Sequence, residues 1–271
     1  RGGLSVLARP LAGSGRAARA RRTASDIYAF NGLPGLRTLE HSAYNPRTST
    51  SPEPVHSYII EVADARQRFL KAAFRVDLPL PYRGVYLTRT ISSPSRHMAR
   101  FILYSTPNRK IPALLTAIRG ELIDSRSGDP AAHAVLKIFF PDGRTPYGLA
   151  DEKGRFAVVI PYPTIEGAFV GSPRIFVGKP LSEQRWSLRV EVLYEPDLLE
   201  SIPHTDLPNY LSILSQEKPA WVWTGLADTG SPPDNGGDVD GLPATLEFGR
   251  ELVLRTAGES QLFIRPRDSS P

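Results

Sequence analysis

Apolar and polar residues alternate along much of this chain with a period of two, the period of a half-buried β-strand. The clearest case is 187–194, where Leu188, Val190, Val192 and Tyr194 share one face and Arg189 and Glu191 the other. YIIEV (58–62), AAFRVDL (72–78), GVYLTRTI (84–91) and ARFILY (99–104) read as further strands. From 119 to 163 the pattern runs strand, polar turn, buried strand, turn, then a second polar turn, ADEKGRF, that feeds one more apolar strand. It places Leu136, Ile138, Phe156, Val158 and Ile160 in a core, and it needs a left-handed Gly154 to reverse the chain. Pro79, Pro81, Pro161, Pro163 and Pro173 sit at strand ends, where a missing N–H costs no ladder bond.

Between Glu195 and Gly241 the alternation breaks. LPNYLSILSQ (207–216) predicts one short helix, with Leu211, Ile213 and Leu214 available to pack. The tail ATLEFGRELVLRTAGESQLFIRP predicts a closing hairpin, with Leu252 and Leu254 facing Leu262 and Ile264 across a turn at Gly258. The expected fold is mostly β: an antiparallel sandwich, or two related sandwich units, with an extended N-terminal arm and one short helix. The segments are an arm (1–55), a sandwich body (56–200), a helix-containing excursion with an acidic loop (201–243) and a C-terminal hairpin (244–271). A faint repeat aligns Glu61, Asp64 and Arg66 with Glu121, Asp124 and Arg126, sixty residues on. It reads as two strand–turn–strand units, each with a carboxylate accepting turn N–H bonds at a strand end.

Composition sharpens this picture in three places. The 26 prolines and 22 glycines among 271 residues favour many short strands joined by turns. No apolar run reaches the eighteen or so residues of a membrane-spanning helix, and the chain has no cysteine, which removes thiolate chemistry and fits a cytoplasmic setting. The net charge of +5 resides in one place: Arg1, Arg9, Arg16, Arg19, Arg21 and Arg22 all precede the first acidic residue, Asp26. The remaining 27 basic residues face 28 carboxylates, so the body is neutral. That argues against nucleic acid, which needs basic residues spread over a folded face with stacking aromatics. The arm is either a targeting segment or a docking arm whose Arg16, Arg19, Arg21 and Arg22 meet acidic groups of a partner.

Little in the chain points to catalysis. His41, His56, His97, His133 and His204 show no metal-ligand spacing. His204 with Asp206 has the makings of a base and its orienter, yet no serine sits in a G-x-S-x-G elbow. The loop DTGSPPDNGGDVDG fits a calcium loop poorly: counting from Gly236 puts Asp238, Asp240, Gly241 and Glu247 in place, but the first ligand is Gly and no helix follows. No cofactor or metal is predicted. Trp221 and Trp223, at i and i+2, share one strand face. They read as partner-binding residues, or, with Trp186 and Tyr210, as a sugar-stacking platform.

The 119–163 segment closely resembles the carboxypeptidase regulatory-like (transthyretin-like) β-sandwich, whose pattern Gly120, Asp124, Gly128, Pro130, Ala134, Asp151, Gly154 and Phe156 follow. The resemblance implies a scaffold or binding module over 111–165. Peptidase activity does not follow, because in metallocarboxypeptidases the zinc belongs to a separate catalytic domain. The wider frame is similar to proteins of phage-tail-like contractile injection clusters of bacteria, through YAFNGLPGLR, RFLKAAFRVDLP, STPNRKIPALLTAIRGEL, GLADEKGRFAVVIPYP and LEFGRELVLRT. That resemblance implies a non-enzymatic structural protein, bound to other subunits of a particle assembled in the cytoplasm, without nucleic acid or membrane insertion. The alternative is a carbohydrate-binding or adhesion module using Trp186, Trp221 and Trp223.

Overall fold

The computed structural model describes residues 3–12, 15–25, 27–36, 55–78, 101–165, 167–170, 175–225 and 238–267. The protein is mostly β, with several antiparallel sheets and a short helix. It divides into two compact units, Arg1–Leu103 with Leu199–Ser215, and Tyr104–Leu198 with Gln216–Pro271.

In the first unit a sheet of order β2-β1-β5-β6 is built from β1 (Leu4–Pro10), β2 (Ala18–Arg19), β5 (His56–Asp64) and β6 (Ala72–Leu78). β1 lies antiparallel to β5 over its whole length, with Val6 opposite Val62 and Ala8 opposite Ile60. Opposite residues share a sheet face, so Val6, Ala8, Ile60, Val62 and the adjoining Phe74 form one apolar layer, and all five are buried. On the other face Ile59 and Ala73 pack with Ile202. The predicted helix is α1 (Tyr210–Leu214), opened by Asn209, whose side chain accepts the N–H of Leu211. It buries Tyr210 and Ile213 but leaves Leu211 exposed. Tyr210 stacks at 4.5 Å on Phe101, which lies 5.4 Å from Phe74. A small ribbon, β3 (Arg21–Arg22) paired with β4 (Tyr28–Ala29), completes the described part.

Three expectations change here. The stretch read as an arm supplies β1, because Val6 and Ala8 have the phase of the buried side of β5 and pairing satisfies both backbones. Residues 199–215, all but the first two of them within the 201–243 stretch read as an excursion, complete the first unit through Ile202 and α1. The run 84–91 and the start of 99–104 lie outside the described residues, and 101–104 hold no strand.

The second unit is a sandwich. One sheet runs β10-β7-β18-β14-β15: β7 (Leu115–Asp124), β10 (Arg155–Pro161), β14 (Trp221–Trp223), β15 (Asp238–Val239) and β18 (Leu262–Arg265). The other runs β16-β13-β8-β9: β8 (Val135–Phe139), β9 (Tyr147–Leu149), β13 (Arg185–Leu193) and β16 (Leu242–Glu247). β11 (Gly167–Val170) and β12 (Ile175–Gly178) pair separately. Ile118, Leu122 and Ile264 of the first sheet meet Leu188, Val190, Val192 and Leu246 of the second in one core. The five residues expected there, Leu136, Ile138, Phe156, Val158 and Ile160, are all buried. Gly154 has φ +73°, and a Cβ there would stand 2.3 Å from the Leu122 carbonyl oxygen.

The tail departs from the expected hairpin. β17 (Leu252–Leu254) and β18 both run parallel to β7, one after the other along the same edge. The turn at Gly258 (φ +85°) lies within a small loop whose neck is closed by the Thr256 N–H, which donates to the Gln261 carbonyl at 2.9 Å. The chain therefore leaves and rejoins the same edge in the same direction.

Strand ends carry the carboxylate chemistry expected of the repeat. Asp124 accepts the N–H of Arg126 at 2.9 Å. Asp64 accepts N–H bonds from Arg66 at 3.2 Å and Arg68 at 3.0 Å, and both arms of the Arg68 guanidinium at 2.7 and 3.1 Å. That guanidinium lowers the Asp64 carboxyl to about 2, against the opposing effect of its burial. The nearest match to this turn is DEKGR: Asp151 accepts the N–H bonds of Lys153 and Arg155, each at 2.9 Å, and the Arg155 side chain at 3.0 Å.

Candidate functional site

Two surfaces gather the residues singled out in the sequence, one in each unit. In the first, Arg16, Arg19, Arg21 and Arg22 are all exposed. Arg19 stands opposite Leu7 in the β1–β2 pairing, and Leu7 stands opposite Glu61. The N–H of Ala20 bonds the Val6 carbonyl at 2.9 Å, which carries that register one residue past β2. Among the described residues Arg16, Arg19 and Arg21 have no ion pair. Arg9, two residues along β1 from Leu7, is paired with Glu61 at 3.3 Å.

In the second unit Val222 turns into the core, fully buried, so its neighbours Trp221 and Trp223 stand on the outer face of the sheet. The β14–β18 register sets Trp223 beside Phe263, and Phe263 lies opposite Ile123. The result is an apolar row across three strands. Trp223 is 39% exposed, and its ring meets Phe263 edge-on at 5.8 Å with 68° between the planes. Its backbone is fixed by the Thr256 hydroxyl, which donates to its carbonyl at 2.8 Å. Further along the same face Val253 is 56% exposed. Trp221 is half-buried, and the Arg267 guanidinium, ion-paired with Asp240, lies 4.1 Å from its ring centroid.

A platform of three tryptophans does not form. Trp186 is a core residue, 6% exposed, whose indole N–H donates to the Thr164 carbonyl at 3.2 Å. It is in phase with Leu188 and Val190 on β13, so the alternation that buries them buries it too. Tyr210 belongs to the interior of the first unit. The sequence reading missed Phe263, Val253 and Arg267. The alternation of Leu262 and Ile264 already placed Phe263 outside, but nothing local brings Arg267 to Trp221.

The polar candidates stay apart. His204 and Asp206 are both exposed, and no hydrogen bond joins them. His133 is half-buried at φ +60°, and burial lowers its pKa. His41 and His97 lie outside the described residues, as does most of the acidic loop. A pocket of about 400 Å³ in the first unit is lined by Pro10, Leu11, Pro34, Val55, His56 and Tyr58 among others, and no carboxylate is among its described lining residues. Among the described residues no three His, Asp or Glu are placed to hold a metal ion, and no helix is long and apolar enough to cross a membrane.

No family model matches the chain, and no curated protein matches it. Among solved structures it is similar to a mutant of the shaft pilin SpaA from Lactobacillus rhamnosus GG, at 8% identity over 99% of this chain and 95% of that one. The TM-score of 0.27 is too low for that likeness to carry any argument.

Proposed function

We propose that this chain is a non-enzymatic structural component of a phage-tail-like contractile injection particle, with its second unit a carboxypeptidase regulatory-like module. It docks on neighbouring protein subunits through the outer face of the sandwich and the exposed arginines. The particle assignment rests on the sequence resemblance of the wider frame, and places the protein in a cytoplasmic assembly without cofactor, nucleic acid or membrane insertion.

The observation that carries the docking part is the Trp223–Phe263 pair on the outer face, backed by the buried Ile123. A partly exposed indole, held by its neighbours on a rigid sheet, loses little freedom when a partner covers it, and such aromatics dominate the binding energy of protein interfaces. A sugar platform has less support. The face of Trp221 that Arg267 covers is not free for a sugar, and the Trp223 and Phe263 rings, inclined at 68°, offer no common plane for a pyranose.

The test is co-expression with the other products of its gene cluster, followed by purification of the particle and immunoblotting for this chain. Wild-type protein should sediment with the particle, and Trp223→Ala should lower its occupancy at least severalfold while leaving the fold intact. A wild-type chain that stays monomeric beside assembled particles would overturn the proposal. Deleting residues 1–25 is an unsuitable variant, since it strips β1 from β5.

A further inference from the structure

We infer that the sheet face of the first unit carrying Arg9, Arg19 and Arg21 binds an acidic polypeptide segment, and that Arg16 and Arg22 contribute little to it. This builds on the docking reading above and names the partner's chemistry.

The assignment follows from register. Leu7 is opposite both Arg19 and Glu61, so these three side chains stand on one face of the sheet. Arg9 lies two residues along β1 from Leu7 and joins the same face. Arg21, which opens the β3–β4 ribbon, continues the alternation from Arg19 through Ala20, whose N–H still bonds the Val6 carbonyl at 2.9 Å. Arg22 is opposite Tyr28 in the β3–β4 ribbon, one residue out of step, and both stand on the other side. Arg16 lies before β2, outside the paired register.

The face already satisfies one such arginine. Arg9 reaches the Glu61 carboxylate at 3.3 Å. Arg19 and Arg21 lie beyond β1, exposed, with no ion pair among the described residues. Two residues of extended chain separate them by about 6.6 Å. An extended acidic segment presents alternate carboxylates at that same repeat, and each can take a two-pronged hydrogen bond from a guanidinium. Nucleic acid suits the face less well. Tyr28, the first aromatic along the chain, is on the other side and offers no stacking surface there.

The test uses the full chain and two double variants of equal net charge, Arg19→Glu/Arg21→Glu and Arg16→Glu/Arg22→Glu. Each is titrated against a labelled polyglutamate peptide and a labelled oligothymidylate of the same length, at low salt, by fluorescence anisotropy. Wild type should bind polyglutamate more tightly than oligothymidylate. The Arg19/Arg21 variant should lose about tenfold or more in polyglutamate affinity, and the Arg16/Arg22 variant about twofold or less. The neutral pair Arg19→Gln/Arg21→Gln should show an intermediate loss, and it serves as the readout if charge reversal unfolds the unit by circular dichroism. Equal losses in the two charge-matched variants, tighter oligothymidylate binding, or no polyglutamate binding would each overturn the inference. Loss of polyglutamate binding by a variant that the particle still incorporates would show that these arginines do not hold the chain in the particle, and would leave the acidic-segment inference standing.

Discussion

Two tight turns, one in each unit, follow the same plan and tolerate different residues at the same place. In DARQR and in DEKGR an aspartate at the start accepts the N–H bonds of the residues two and four further on, and the guanidinium of the latter closes on the same carboxylate. In both, the residue before that arginine is left-handed: Gln67 at φ 51° and Gly154 at φ 73°. Gln67 carries a side chain there at a conformational cost of roughly 1–2 kcal/mol. Gly154 has no such freedom, because a Cβ would lie 2.3 Å from the Leu122 carbonyl oxygen and 3.3 Å from the Ala131 nitrogen. The turn alone does not demand glycine. The close approach of a neighbouring strand does.

The sharpest way to break that contrast is Gly154→Ala against Gln67→Ala. Strain and a backbone clash together should cost the first variant about 3 kcal/mol or more, and the second about 0.5 kcal/mol or less, both read by chemical denaturation. A loss below about 1 kcal/mol for Gly154→Ala would mean that the backbone at Leu122 gives way.

Next in size comes the carboxylate. Asp64→Asn should cost about 1.5–3 kcal/mol, the range for hydrogen bonds to a charged group, and Asp151→Asn less, since its side chain is 12% exposed where that of Asp64 is fully buried. The first loss should depend on pH. Asp64 is held at about 2 when folded and would titrate near 4 when unfolded. Its stabilisation is therefore present in full above about pH 4 and is lost as pH falls towards 2. Denaturation midpoints of Asp64→Asn and wild type should converge over that window; parallel curves would contradict the assignment.

The smallest effect is Gln67→Gly, which relieves the left-handed strain but loosens the unfolded chain. A net gain of at most about 0.5 kcal/mol is expected. A net loss would show that the Gln67 side chain stabilises its turn.

Where the sequence spoke clearly, it did so through side-chain phase. The alternation over β13, the core of β8 and β10, the left-handed glycine of ADEKGRF and the short helix at Tyr210 are properties of a few consecutive residues. Phase reports a face but not a partner. Leu252, Leu254, Leu262 and Ile264 alternate equally well in a hairpin and in two parallel pairings on β7, and the loop geometry at Thr256 decides between them. β1 was hidden for a related reason: its inward residues are Val6 and Ala8, too few to declare a strand without β5 more than fifty residues away. The candidate surface divides in the same manner. Trp223 is legible as an outward residue of W-V-W, whereas the guanidinium over Trp221 comes from Arg267, far along the chain.

The contribution of residues 199–215 to the first unit also sets an order of events during synthesis. Strands β1, β5 and β6 leave the ribosome well before Ile202 and Tyr210 exist. Until those arrive, Ile59, Ala73 and Phe74 lack part of their cover, and the whole second-unit segment through Leu198 must be made in the interval. Contacts that span so much chain form slowly and leave apolar strands open to wrong partners meanwhile. Nascent chains stalled before residue 199 should therefore bind chaperones more heavily than chains released after residue 215.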